Sequence, residues 1–206
     1  MRAEYTSKSL METDIEKDPI AQFSKWFDEA TAAKVIEPNA MSLGTVDTEN
    51  RPSVRIVLLK EIVNGQFLFF TNYQSDKGIH MAKNPFVSLT FFWAELERQV
   101  RISGKATKIT DADSIKYFNK RPRGSQIGAW SSPQSSIIEG RGVLEEHERR
   151  YSEMFKDQDV PKPDHWGGYG VLPDSIEFWQ GRRSRLHDRI LYKKEANGWK
   201  LVRLAP

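Results

Sequence analysis

The segment RIVLLKEIV-NG-QFLFFTN, residues 55–72, sets two apolar, β-branched and aromatic runs either side of Asn64-Gly65. Asn and Gly both tolerate positive φ, which the tightest hairpin turn requires at both central positions. The pattern predicts an antiparallel hairpin. Upstream, Met41–Val46 and Ser53–Lys60 flank the polar turn DTENRP and predict another. Downstream, Phe86–Trp93 and Gln99–Ile109 read as strands joined by a charged turn. Near the C-terminus SRLHDRILYKK and WKLVRL flank Asn197-Gly198, a third hairpin.

Helices surround these strands. Asp18-Pro19 supplies an N-cap and a first-position proline, and Phe23, Trp26 and Phe27 follow at i, i+3, i+4 along a stripe ending near Lys34. Ser75–Asn84 reads as a helix ended by Pro85. Asp111–Lys120 reads as one stopped by Arg121-Pro122, and the later part of 139–156 reads as another. The segments RPRGSQIGAWSSPQSS and VPKPDHWGG read as loops. Residues 1–17 are polar and aperiodic and read as a mobile arm before a single domain, 18–206. Six or more strands with three or four helices predict a mainly β fold, an antiparallel barrel with flanking helices.

Composition removes several chemistries. At 206 residues, 38% hydrophobic and 29% charged with a net charge of +3, the chain reads as an ordinary globular protein. It has no cysteine, so disulfides, thiolate nucleophiles and cysteine-held clusters are out. The four histidines show no metal-binding spacing, and no metal is expected. No Gly-rich phosphate loop and no Gly-x-Ser-x-Gly elbow occurs. No run of 18 apolar residues is present and the N-terminus lacks a secretory pattern, so a cytoplasmic location and no membrane partner are expected.

The remaining polar residues point to anions. If 185–192 is a strand, Arg185, His187 and Arg189 share one face, suited to a phosphate or an electron-rich ring, or else simply solvated. Arg55 and Lys60 bracket four apolar residues. They serve different anions, are brought together by a bulge, or are ordinary strand ends. Tyr117 and Arg121 lie at i, i+4 with Ser125 just beyond, a phenol, a guanidinium and a hydroxyl that together suit a phosphate; a surface helix end would look similar. Thr71, Ser75 and Lys77 after the Phe-rich strand, and Gln134, Ser135 and Ser136 in a loop, suit a phosphate or polar heterocycle and are equally common in turns.

Taken in order, RIVLLK, FFTN, LERQV, KYFNKRPRGSQIGAW, PQSS and IEFWQGRRSRLHDR resemble the pyridoxine/pyridoxamine 5′-phosphate oxidase family over nearly the whole chain. The resemblance implies an FMN-binding split β-barrel, working as a homodimer with FMN at the interface. It implies oxidation of pyridoxine 5′-phosphate and pyridoxamine 5′-phosphate to pyridoxal 5′-phosphate, with O2 reduced to hydrogen peroxide and ammonia released from the amine. Carried over by position, Arg55, Phe70, Thr71, Lys77, Gln99, Gln134, Ser135, Trp179 and Arg189 match FMN contacts. Lys60, Tyr117, Arg121 and Ser125 match the substrate-phosphate grip. Arg185 and His187 match the residues over the pyridine ring, and Arg2 and Tyr5 an N-terminal arm that closes on the site. Asp76 departs from the family, standing where relatives often carry Arg beside the flavin phosphate. Gly170 also departs, and neither change touches the substrate set. Two rival readings are another flavin split-barrel oxidoreductase and a small-barrel nucleic-acid binder; no nucleic acid is expected, because the basic excess is modest.

Overall fold

A computed structural model describes residues 9–206. The Asn64-Gly65 turn forms as its residue types require, with φ of 51° and 74°. It joins β3 (Glu61–Val63) to β4 (Gln66–Asn72), with Val63 opposite Gln66. The long run before it is broken: β2 (Pro52–Leu58) ends before Lys60, whose backbone N–H donates to Leu68 O. With β1 (Ala40–Val46), β2 makes the expected first hairpin. β5 (Phe86–Trp93) and β6 (Arg98–Lys108) follow, then β7 (Trp166–Gln180), β8 (Asp188–Glu195) and β9 (Gly198–Arg203).

All pairings are antiparallel, in the order β2-β1-β5-β6-β7-β4-β3, with β8 on β7 and β9 on β8. β7 carries the architecture. One edge pairs with β6 along its length, whereas the other pairs with β4 over residues 166–171 and with β8 over residues 175–180. Pro173, which has no N–H to give, sits at the change of partner, where the β6–β7 register also slips between Ser103 and Gly104. A Cβ on Gly104 would lie 2.3 Å from Leu172 O, so the two backbones approach this closely only at glycine. The sheet is a split barrel, mainly β with flanking helices.

Helix α1 (Pro19–Ala32) plugs the barrel. Asp18 accepts from the Ile20 N–H as the cap, and Phe23 meets Phe67 and Phe91 edge-on with ring centroids 4.9 Å away in each case. Trp26 meets Phe178 at 5.2 Å. α2 (Asp76–Lys83) packs near β1. Outside the barrel, α3 (Asp111–Asn119), α4 (Arg123–Ser131) and α5 (Arg141–Met154) enclose a second core of Phe118, Ile127, Phe155, Val160 and Trp166. Among the described residues, no helix is long and apolar enough to cross a membrane.

Three expectations are corrected. The segment expected as a loop after Arg121 contains α4, whose two glycines and serines hide it; burial of Ile127 and Ser131 and a Trp130 N–H donated to Pro161 O hold it. The last hairpin starts at Asp188, not Arg185, because residues 183–185 form a 3-10 turn with Ser184 and Arg185 at φ of 56° and 62°. The described part of the N-terminal arm is tied down rather than loose. Leu10 is buried and its N–H donates to Asp188, Arg203 grips Leu10 O and the Glu12 carboxylate, and Tyr192 donates to Glu16 O.

The Glu12 clasp has a pH signature. Hydrogen bonds from Arg203, then from its own backbone N–H, lower the Glu12 pKa from 4.5 to about 2. A depressed carboxylate contributes stability above its unfolded pKa and loses it as pH falls through the folded one. Glu12→Gln should therefore lower Tm at pH 7, and the gap to the parent protein should close as pH falls from about 4.5 toward 2. A gap that is constant with pH would remove this ion pair as its source.

Candidate functional site

Between β2, β4 and α4 lies a cavity of about 440 Å³, bordered by Lys60, Phe70, Thr71, Lys77, Arg121, Ser125, Gln134 and Trp166. Lys77, on this border, belongs with Arg55 to a cationic corner. Arg55 Nη1 donates to Leu43 O (3.1 Å), Thr45 Oγ1 (2.7 Å) and Ser53 O (3.0 Å), and Nη2 to Ser53 Oγ (2.6 Å). All four acceptors are uncharged. Lys77 donates to Gln134 Oε1 (2.8 Å) and Ser75 Oγ (3.1 Å), and Thr71 reaches the same Gln134 oxygen at 3.2 Å. Ser135, at φ 72°, accepts the Asp76 N–H at 3.2 Å. Burial lowers the pKa of Arg55, and burial followed by repulsion from Arg55 lowers that of Lys77. Asp76 offsets both in part, but neither cation is paired with a carboxylate. Two half-buried cations among hydroxyl and amide groups form a site for an anion such as a phosphate.

Another part of the lining holds Arg121. Phe70 and Tyr117 stack at 3.8 Å and 10°, with Trp166 5.3 Å from Phe70 and nearly parallel. The Arg121 guanidinium lies over the Trp166 ring, 4.6 Å from its centre. Its Nη1 is buried with no hydrogen-bond partner, and burial lowers its pKa. A buried cation left unsatisfied is costly unless an anion completes it. Ser125 and Lys60, both exposed, border the same space.

A second group of expected residues lies elsewhere. Gln99 stands opposite Trp179, which stands opposite Arg189, across β6, β7 and β8. Arg189 forks onto Glu177 at 2.8 and 3.1 Å. The Trp179 and His187 rings are 4.7 Å apart. The backbone N–H of Arg182 donates to His187 Nδ1 (3.1 Å), which leaves the hydrogen of the neutral ring on Nε2. Arg185 is exposed on the left-handed turn, so alternation along a strand is not what presents it with His187 and Arg189. Arg2 and Tyr5 lie outside the described residues.

The structure thus brings Arg55, Lys60, Phe70, Thr71, Lys77, Tyr117, Arg121, Ser125, Gln134 and Ser135 to one region. It puts Gln99, Trp179, Arg185, His187 and Arg189 at the other end of β7. That strand has 15 residues, and at about 3.3 Å per residue its ends are separated by on the order of 40 Å. Trp166, the floor beneath Arg121, is absent from the sequence-based set. A Trp after a Pro-rich loop carries no sign of the face it will cover.

A sequence model described as pyridoxamine 5′-phosphate oxidase matches residues 27–154, and one for the pyridoxine 5′-phosphate oxidase C-terminal dimerisation region matches 166–206. The chain belongs to the pyridoxine/pyridoxamine 5′-phosphate oxidase family. Oxidases of that name from Cupriavidus pinatubonensis and Cyanothece sp. are 54% and 50% identical, each alignment covering all of this chain and 97% of the relative. PhzG from Burkholderia lata, solved with tetrahydrophenazine-1-carboxylic acid, superposes with a TM-score of 0.91 at 28% identity over 97% of this chain and 99% of PhzG. An FMN-binding, pyridoxamine 5′-phosphate oxidase-related protein from Nostoc punctiforme shares the fold, with a TM-score of 0.71 at 16% identity over 89% of this chain and 97% of its own. Both family matches include residues of the site: the first spans both cavity walls except Trp166, and the second spans Trp166 and the distant Trp179–Arg189 group.

In this oxidase-family chain the unsatisfied Arg121 implies a trade between stability and binding. Arg121→Met keeps the apolar stem against Trp166 and removes the buried charge. Its Tm should equal or exceed that of the parent, while binding of a phosphorylated pyridine, followed by calorimetry, should weaken at least about tenfold. A clear fall in Tm would make Arg121 a structural residue instead.

Proposed function

We propose that this chain oxidises pyridoxine 5′-phosphate and pyridoxamine 5′-phosphate to pyridoxal 5′-phosphate, using FMN and O2. The observation that carries the reading is a cavity bordered by Lys77, which has Arg55 close enough to repel it, and by Arg121 and Lys60, with no carboxylate paired to any of these cations among the described residues. Two cationic groups at one cavity suit two phosphorylated aromatic molecules held side by side. The chemistry fits the first group to FMN: Arg55, Lys77 and Ser135 for its phosphate, with Thr71 and Gln134 for polar edges nearby. Held there, FMN would supply hydride-accepting chemistry, with O2 as the final electron acceptor and hydrogen peroxide as its product. Lys60, Tyr117, Arg121 and Ser125 hold the substrate phosphate, and Phe70 supports the wall by stacking on Tyr117. Fixing that end of a small molecule orients its 4′-carbon, and orientation of this kind contributes up to about 7–11 kcal/mol in favourable systems.

The second residue group acts from a partner copy. Gln99, Trp179, Arg185, His187 and Arg189 are too far along β7 to reach the cavity of their own chain, and they fall in or beside the part matching a dimerisation region. A homodimer that sets this end of β7 against the partner's cavity completes two sites. There Arg185 would lie on the pyridine ring. His187, its proton on Nε2, would donate a hydrogen bond to a substrate oxygen or nitrogen and so orient it.

The similarity to PhzG favours one alternative, oxidation of a reduced tricyclic carboxylic acid. A purified, flavin-loaded protein should release peroxide on addition of either phosphorylated vitamin and not with tetrahydrophenazine-1-carboxylic acid; the opposite pattern would replace our reading. Arg185→Leu should retain FMN and lose turnover by about tenfold or more, the scale of a charge-assisted contact. Asp76 adds an anion beside Arg55 and Lys77. Asp76→Arg should tighten FMN a few-fold in a fluorescence titration, and weaker binding would show the carboxylate to be useful there.

A further inference from the structure

The hold on Arg55 extends beyond the cavity to His80. This residue sits on α2, three positions after Lys77, with its Nδ1 3.0 Å from Thr45 Oγ1. The same hydroxyl oxygen receives the 2.7 Å hydrogen bond from Arg55 Nη1. Thr45 is 1% exposed, so solvent does not complete its bonding. A guanidinium only donates, so the hydroxyl oxygen accepts from Arg55 and its own hydrogen needs an acceptor. Among the described residues, these two contacts are those of the Thr45 hydroxyl. Were Nδ1 protonated, the oxygen would face two donors and the hydroxyl hydrogen would be buried without an acceptor. With the ring hydrogen on Nε2, Nδ1 accepts the Thr45 hydroxyl hydrogen and the Thr45 oxygen accepts from Arg55, so both sides of the buried hydroxyl are satisfied.

This chain also links two elements that the cations would push apart. Arg55 comes from β2 and Lys77 from α2, and Arg55 lowers the Lys77 pKa by repulsion. The other acceptors on Arg55, namely Leu43 O, Ser53 O and Ser53 Oγ, all belong to its own hairpin. Among the described residues, the Thr45–His80 contact is a hydrogen-bonded bridge from that hairpin to the helix bearing Lys77.

We propose that His80 is a positioning residue for the cofactor phosphate: by accepting the Thr45 hydroxyl hydrogen it turns a lone pair to Arg55 and sets the spacing of Arg55 from Lys77. This rests on the reading of Arg55 as a phosphate anchor. The test dilutes the flavin-loaded, full-length protein and follows FMN release by its fluorescence. His80→Leu should weaken FMN binding roughly five- to tenfold, the scale of one hydrogen bond. His80→Gln, whose amide oxygen can accept, should stay within about twofold. Thr45→Val should resemble His80→Leu, and adding His80→Leu to Thr45→Val should change nothing further. Nitrogen NMR of the unsubstituted protein should show His80 with Nδ1 bare and Nε2 protonated. Wild-type FMN retention in His80→Leu, alongside loss in Arg55→Leu, would overturn the inference and leave the phosphate anchor standing. Retention in Arg55→Leu would overturn both. A protonated Nδ1, or full additivity with Thr45→Val, would also reject it.

Discussion

One strand with two partners on the same edge is the constraint from which the rest of this molecule follows. β7 needs hydrogen bonds for both edges along its length, and β4 and β8 each cover only part of one edge. The change of partner is possible where Pro173 has no N–H to leave unpaired and where Gly104 lets β6 approach Leu172 closely. The barrel splits there, and α1 enters with Phe23 and Trp26 to fill it. The same strand then exposes two working ends. Trp166 supports Arg121 at one, and Trp179 meets His187 at the other.

Charge explains why the fold has a cavity worth filling. Arg55, Lys77 and Arg121 are drawn out of water without carboxylate partners, and burial lowers the pKa of each. Elsewhere the chain pairs buried cations: Arg98 with Glu29 and Gln180, and Lys162 with Asp111. The contrast separates cations that an ion pair secures from cations that have none. Structural pairing restrains two side chains for good, whereas an incomplete pair is stabilised only when its anion arrives.

Sequence signals were strongest where a single residue's own backbone preference decided the outcome. Asn64-Gly65 and Asn197-Gly198 turn because of the φ they accept, and Asp18-Pro19 starts α1 because one caps and the other needs no partner for its nitrogen. Helix α4 was illegible because Gly124, Gly128 and its serines oppose a helix, and only packing of Ile127 against the second core supplies the reason for one. The turn at Arg183–Arg185 was equally hidden. Left-handed Ser184 and Arg185 run against the preference of both residues, and surrounding structure imposes them. Of the candidate site, the residue types and their resemblance to a family were readable, including both cationic groups. Trp166, Thr45 and His80 were not, because each acts through a neighbour distant in sequence.

The sequence by itself determined the strands, the hairpin turns, the first helix and the anion-seeking character of the chain, since these depend on side-chain pattern and local backbone preference. Tertiary structure alone decided which cations stay without a carboxylate, which aromatic ring lies beneath Arg121, and that the C-terminal group of Trp179, Arg185, His187 and Arg189 stands at the far end of β7 from the cavity. Those outcomes depend on contacts between segments tens of residues apart, and the energy of such contacts is fixed only once the barrel has closed.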